Sequence, residues 1–334
     1  MAFLLPAVAA CSDSDGPEGR SYILTTASTG GTYYPVGVAI STLVKLRLQE
    51  TNGISLSAIN SAGSGENIKL LHTGEADFAL VQGLFGIWAK TGEGAYGRRG
   101  AALKLRAITM LWPNVEHFII DRSLVESGTL SDLSRLKGAT FAVGNRNSGA
   151  AQSTRMIFDS LGLRNGRNIK FAYLSYSAAA DALRNGTIAG FSAPAGAPVS
   201  AVARAFAASG ESITLLGVTD EERARFNKEV GLWSPFLIAA NTYPGLGEAI
   251  RTAAQPNFLA VNADVDEEVV YKITRVIFEN LPFLHSVHRA TRSISLNTAV
   301  QGLPVPLHPG AVRYYREQGI ALPQDLIVEP ADGE

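Results

Sequence analysis

Short apolar runs alternate with amphipathic segments along most of the chain. Residues 22–25 read as a strand, and the spacing of Val36, Ile40, Leu43 and Val44 puts one apolar face on the helix that follows. The same alternation predicts strands at 55–59, 77–82 and 105–111, and a helix over 64–72 capped by Ser64. Farther on, 117–121 is a strand, 130–136 suits a short helix, and 138–144 is a turn followed by a strand. A helix bearing Thr154, Ile157, Phe158 and Leu161 stops at Gly162. Strand, helix and strand recur at 170–175, at 178–184 behind a Ser177 cap, and at 188–192. A strand at 257–262 and a strongly amphipathic helix over 267–281 complete the pattern. Alternation of this kind predicts an α/β protein with doubly wound sheets.

At 334 residues the chain is too long for one small core, so two lobes are expected. Both repeat one plan of strand, small-residue loop and helix. The tail from Asn262 is mostly helical and has no set of strands for a third lobe, so it is expected to return to the first. The expected division is 1–20 as leader and tether, 21–117 plus 262–334 as a discontinuous first lobe, and 118–261 as the second. Two strands, near 117–121 and 257–262, are expected to be the hinge crossings.

The most informative loop is 28–37, Ser-Thr-Gly-Gly-Thr-Tyr-Tyr-Pro-Val-Gly. A Gly-Gly turn onto a helix start exposes backbone N–H groups beside the positive end of the helix dipole, which suits a carboxylate. Gly30, Gly31, Thr32 and Tyr33 supply those donors, Thr32 adding a hydroxyl; the plainer alternative is an ordinary strand-to-helix turn. Gln82 ends a strand, and doubly wound sheets bind ligands at carboxyl ends of strands. Its alternative role is a solvent-facing strand end. Asn60, Ser61 and Ser64 occupy another such loop, with Ser64 a helix cap first and a ligand contact second.

Arg146, Asn147, Ser148 and Gly149 form a facing loop. An arginine there grips a carboxylate with two parallel hydrogen bonds, or else is merely solvated. Tyr176 and Ser192 are further candidate contacts, or packing and turn residues. Tyr33, Tyr34 and Trp112 either wall the cleft or belong to the core, with Tyr34 packed on the sheet.

Composition narrows the chemistry. The formal net charge is -1, so no basic excess exists to neutralise nucleic-acid phosphates. No run approaches the ~18 apolar residues needed to span a bilayer. The single cysteine, Cys11, permits neither an intramolecular disulfide nor a cysteine-based zinc site. His72, His117, His285, His288 and His308 fall into no metal-ligand spacing, and neither a Gly-x-Ser-x-Gly elbow nor a phosphate loop is present. Capture rather than catalysis is expected, without cofactor or metal.

Residues 1–10 are almost wholly apolar and end Val8-Ala9-Ala10 before Cys11, with a polar run after it. This resembles a bacterial lipoprotein signal, which makes Cys11 the lipidated first residue of a mature chain on the periplasmic or other extracytoplasmic face. The alternative is a buried apolar segment with an inert thiol. The absence of a basic residue before the apolar run departs from the pattern.

With the loops read, the chain resembles solute-binding proteins of the TAXI subfamily of TRAP transporters over nearly all of 22–320. The resemblance rests on residues 29–35 (Thr-Gly-Gly-Thr-Tyr-Tyr-Pro), 61–71 (Ser-Ala-Gly-Ser-Gly-Glu-Asn-Ile-Lys-Leu-Leu) and 74–82 (Gly-Glu-Ala-Asp-Phe-Ala-Leu-Val-Gln). It continues through Ser148-Gly149, Tyr243-Pro244-Gly245 and residues 302–311, Gly-Leu-Pro-Val-Pro-Leu-His-Pro-Gly-Ala. It implies a two-lobe periplasmic-binding-protein fold, type II-like, closing on a small organic anion of the acidic amino acid or dicarboxylate class. It also implies a TRAP-type membrane permease as partner, with membrane contact by the chain itself through a lipid anchor only. Arg146-Asn147 stands where that subfamily usually has a proline or small residue, and 192–196 also differ in detail, which separates ligand identity from the resemblance. The alternative role is a periplasmic sensor that presents its liganded form to a signalling receptor.

Overall fold

The computed structural model describes residues 19–94 and 104–328. Cys11 and the expected leader up to residue 18 lie outside the described residues. The chain enters through strand β1 (Arg20–Thr25) and helix α1 (Tyr33–Asn52). Val36, Ile40, Leu43 and Val44 are buried as their spacing requires, each contributing roughly 1.5–3 kcal/mol of burial. Gly53, with φ at 66°, ends α1 by returning its N–H to carbonyls of the last turn. Strand β2 (Ile54–Ile59) pairs parallel with β1 over all six residues. Helix α2 (Ser64–Thr73) leads to β3 (Phe78–Gln82), fully buried and parallel to β1 on its other edge. Helix α3 (Gly83–Thr91) then starts with no intervening loop.

Strand β4 (Leu105–Val115) runs on through Glu116 and His117 into β5 (Phe118–Asp121), which belongs to a second sheet. That lobe continues with β6 (Thr140–Ala142), α4 (Gly149–Ser160), β7 (Lys170–Ala172) and α5 (Tyr176–Arg184). It is completed by β8 (Gly190–Ser192), α6 (Ser200–Ser209), β9 (Ile213–Leu216) and α7 (Asp220–Asn227). Its sheet order is β7-β6-β8-β5-β9. Strands β6, β7 and β8 are parallel, and β5 is antiparallel to both its neighbours.

Strands β10 (Ser234–Ile238) and β11 (Ile250–Asn262) return to the first sheet, ordered β10-β11-β3-β1-β2 with β4 also paired to β11. Helices α8 (Glu267–Glu279), α9 (Leu281–Val287) and α10 (Pro309–Glu317) pack there too. Val269, Ile273, Ile277 and Tyr315 share one core with Leu24, Phe78 and Trp112. The fold is a two-lobe α/β architecture, each lobe a sheet flanked by helices.

The strand expected at 257–262 is the last part of a longer one, because β11 also pairs with β10 at its start. The sheets therefore part before residue 234 rather than at 261, although Ile238, Ala253 and Ala254 pack into second-lobe cores. The short helix expected at 130–136 is a 3-10 turn, Leu130–Arg135. Ser64 is not a cap: Gly63, with φ at 118°, precedes α2, and Ser64 is its first residue. Ser175, not Ser177, caps α5, its hydroxyl accepting from Ala178 N–H at 3.3 Å.

Candidate ligand-binding site

The two lobes meet over a small cavity of about 40 Å³. Its walls are four helix starts. Gly31, Thr32 and Tyr33 come from α1, and Gly63 and Ser64 from α2. The second lobe supplies Ser148, Gly149 and Ala150 from α4, with Ser175 and Tyr176 from α5. The first N–H groups of a helix have no intrahelical acceptor, and the dipole adds partial positive charge there. Among the described residues, no Asp, Glu, Lys, Arg or His lines the cavity. The result is a neutral pocket with positive potential, suited to an anion. Two wider surface depressions, of about 680 and 710 Å³, lie elsewhere, and no unpartnered buried polar atom lines either.

Side chains fix these termini. Asn67 is fully buried; its amide donates to the Thr26 and Leu80 carbonyls, both at 2.7 Å, and its oxygen accepts from the Thr25 and Ser61 hydroxyls. This hub ties the start of α2 to β3 and to the end of β1. Ser64 Oγ accepts from Gln82 N–H at 3.1 Å. The Tyr33 hydroxyl donates to Asn257 Oδ1, and burial holds its phenol well above the ordinary value, so it stays protonated. Tyr176 donates to the Pro194 carbonyl at 2.8 Å, and burial, reinforced by Glu116 and Tyr33, raises its phenol likewise.

The lobes are closed on each other. Thr32 Oγ1 donates to Gly196 O at 2.7 Å, Ala201 N–H to Gly30 O at 3.2 Å, and Glu66 N–H to Asn147 O at 3.2 Å. Backbone contact is close enough that a Cβ on Gly149 would strike Gln82 Oε1, and one on Gly65 the Asn147 carbonyl.

The profile of the NMT1-like family matches residues 24–319. The chain belongs to the NMT1-like family. Solved structures carry the same fold at low identity. A protein of Bordetella bronchiseptica RB50 is 14% identical, with 95% of this chain and 86% of that one covered and a TM-score of 0.53. MatC from Rhodopseudomonas palustris, solved with bound malate, is 13% identical, with coverage of 90% and 96% and a TM-score of 0.54. PhnD1 from Prochlorococcus marinus (MIT 9301), in complex with methylphosphonate, is 12% identical, with coverage of 81% and 91% and a TM-score of 0.51.

Within this NMT1-like fold, eight residues singled out in the sequence line the cavity: Gly31, Thr32, Tyr33, Ser64, Gln82, Ser148, Gly149 and Tyr176. Six do not. Gly30 abuts Ser177 and Ala201 instead. Asn60 is exposed, and Ser61 braces Asn67 and Thr26. Arg146 is exposed, its guanidinium 4.1 Å over the Tyr173 ring, and Asn147 uses its carbonyl for the contact with Glu66. The Ser192 hydroxyl is buried against Thr154 at 2.6 Å. The roles expected of Gly31 N–H and the Thr32 hydroxyl also change: the first bonds Ser28 O, the second Gly196 O. Trp112 is core, edge-on to Tyr33. The sequence reading missed Ser28, Gly63, Asn114, Asn145, Ser175 and Pro194. Ser175 and Gly63 had a local signal, as small residues immediately before helices. Asn114, inside a strand, had none.

Among the described residues, no cluster of His, Cys, Asp or Glu can hold a metal ion, and no helix is long and apolar enough to cross a membrane.

Proposed function

We propose that this chain is an extracytoplasmic solute-binding protein of the TAXI class. In this reading it closes two lobes on a small organic anion of the acidic amino acid or dicarboxylate class. It then presents that anion to a TRAP-type secondary transporter, with Cys11 as its lipid attachment. The observation that carries the reading is the convergence of four helix N-termini, two from each lobe, on a cavity without a charged side chain. Small anions in the MatC and PhnD1 structures agree with it. Tyr33, Ser64, Gln82, Ser148, Gly149 and Tyr176 are the proposed contacts, joined by Asn114. Binding is the whole activity in this reading: no nucleophile is paired with a base in the cavity, and both tyrosines are held neutral.

Native mass spectrometry of protein purified without unfolding, followed by calorimetry with a panel of carboxylates, tests this. Micromolar or tighter binding of an unaltered anion is expected. Verified folded protein that binds none of them ends the proposal. Anion uptake that proceeds unchanged without this chain, in vesicles carrying the partner permease, ends the transport part alone.

A further inference from the structure

Beneath the helix starts lies a floor of four side-chain amides, Gln82, Asn114, Gln255 and Asn257, none more than 3% exposed. Gln82 stands opposite Asn257, and Asn114 opposite Gln255, two residues apart on β11. Their hydrogen bonding is incomplete in a specific way. Gln255 is engaged at both ends, accepting from Leu84 N–H at 3.0 Å and donating to Glu116 Oε1 at 3.4 Å. Asn257 accepts from Tyr33, and its Nδ2 has no partner among the described residues, but Asn257 lies outside the cavity lining. The two amides that line the cavity each leave one atom without a partner among the described residues: Gln82 Oε1, an acceptor, and Asn114 Nδ2, a donor.

A hydroxyl group matches that pair, since it accepts from Asn114 Nδ2 and donates to Gln82 Oε1. An ammonium has donors only and leaves the Asn114 donor unanswered. It would also enter a site facing the positive ends of four helices, with no carboxylate in the lining to balance it. Glu116 lies behind Gln255, outside the lining, with one oxygen held by Trp233 Nε1 at 2.8 Å. We propose that the site selects a short carboxylate bearing a neutral hydroxyl and no ammonium, and so prefers 2-hydroxy acids to the corresponding amino acids. The helix starts hold the carboxylate, and Gln82 and Asn114 read the hydroxyl. This rests on the anion-capture reading and narrows its ligand class.

Matched pairs test it by calorimetry on the full chain: lactate against alanine, malate against aspartate, 2-hydroxyglutarate against glutamate. At least tenfold tighter binding of the hydroxy acid is expected in each pair that binds. Asn114→Asp, which replaces the donor with a negative acceptor, should lower that ratio at least tenfold. If this variant does not fold, the wild-type pairs decide alone. An amino acid bound as tightly as its hydroxy counterpart overturns the selectivity and leaves anion capture standing. A folded wild-type protein that binds no member of any pair, while another carboxylate binds, also overturns it. Binding of no carboxylate at all removes both.

Discussion

The two walls of the cavity are built alike and finished differently. In the second lobe, α4 and α5 are capped from within: Ser148 accepts from Ala151 N–H at 3.0 Å and Ser175 from Ala178 N–H at 3.3 Å. In the first lobe, neither Thr32 nor Gly63 caps its own helix with a side chain. The partners come from across the gap, as Thr32 donates to Gly196 and Glu66 N–H to Asn147 O. The caps of α4 and α5 are made within their own lobe, whereas the starts of α1 and α2 find partners when the lobes meet, with Ala201 N–H of α6 finding Gly30 O in return. Among the helix starts that wall the cavity, closure therefore supplies hydrogen bonds chiefly to those of the first lobe, and the two walls should answer mutation in different observables.

The largest effect is expected from blocking the meeting itself. Gly65→Ala places a methyl against the Asn147 carbonyl without touching the cavity, and Gly149→Ala places one against Gln82. Each should weaken ligand binding about 100-fold, or about 3 kcal/mol. Scattering should show a chain that stays open with ligand present. Normal closure by Gly65→Ala would break the comparison.

The strip joining the walls has its own pH signature. Burial pushes the Glu116 carboxyl up to about 7 from 4.5, despite its bonds to Trp233 and Gln255. Between those values the unfolded chain ionises while the folded one keeps its proton, so stability falls as pH rises. Burial lowers His117 from 6.5 to about 4, so stability falls as pH drops through that range. The two slopes oppose each other between 4.5 and 6.5. Glu116→Gln keeps an acceptor for Trp233 and removes one slope. Its urea midpoint should climb from pH 4 to 6.5 and then level, gaining a few kcal/mol over wild type above pH 7. A midpoint that tracks wild type across that range would place the proton elsewhere.

Smaller effects sharpen the contrast between the walls. Thr32→Val leaves Gly196 O unpaired in the closed state, which costs about 1–2 kcal/mol and weakens affinity roughly tenfold. Ser175→Ala removes a cap worth about 1 kcal/mol and should lower Tm, with a smaller loss of affinity than Thr32→Val. Equal affinity losses in the two variants would erase the distinction. The smallest effect belongs to Arg146→Ala. With its guanidinium over Tyr173 and outside the cavity, calorimetry should show unchanged affinity, at a stability cost of about 0.5–1 kcal/mol.

Much of this was legible in the sequence wherever one rule is local. Apolar spacing at Val36, Ile40 and Leu43 gave α1, and the glycines and serines before helices marked the loops that line the cavity. Cap identity slipped by one or two residues at Ser64 and Ser177, because several small polar residues stand together and φ and ψ choose among them. Gln82 was found because strand ends in such sheets point to ligands. Asn114 was not, because it lies within an eleven-residue strand and its role depends on pairing with Gln255, far along the chain.

By itself the sequence determined the alternation of strand and helix, the glycine-bearing helix starts and the absence of a basic surface excess. These follow from backbone preference, side-chain period and charge count, each set within a few residues. Only the tertiary structure decided that Arg146 stacks on Tyr173 while Gln82 and Asn114, from different strands, line one cavity. Side chains on different strands and lobes become neighbours through packing, and no local pattern encodes which of them will face the same space.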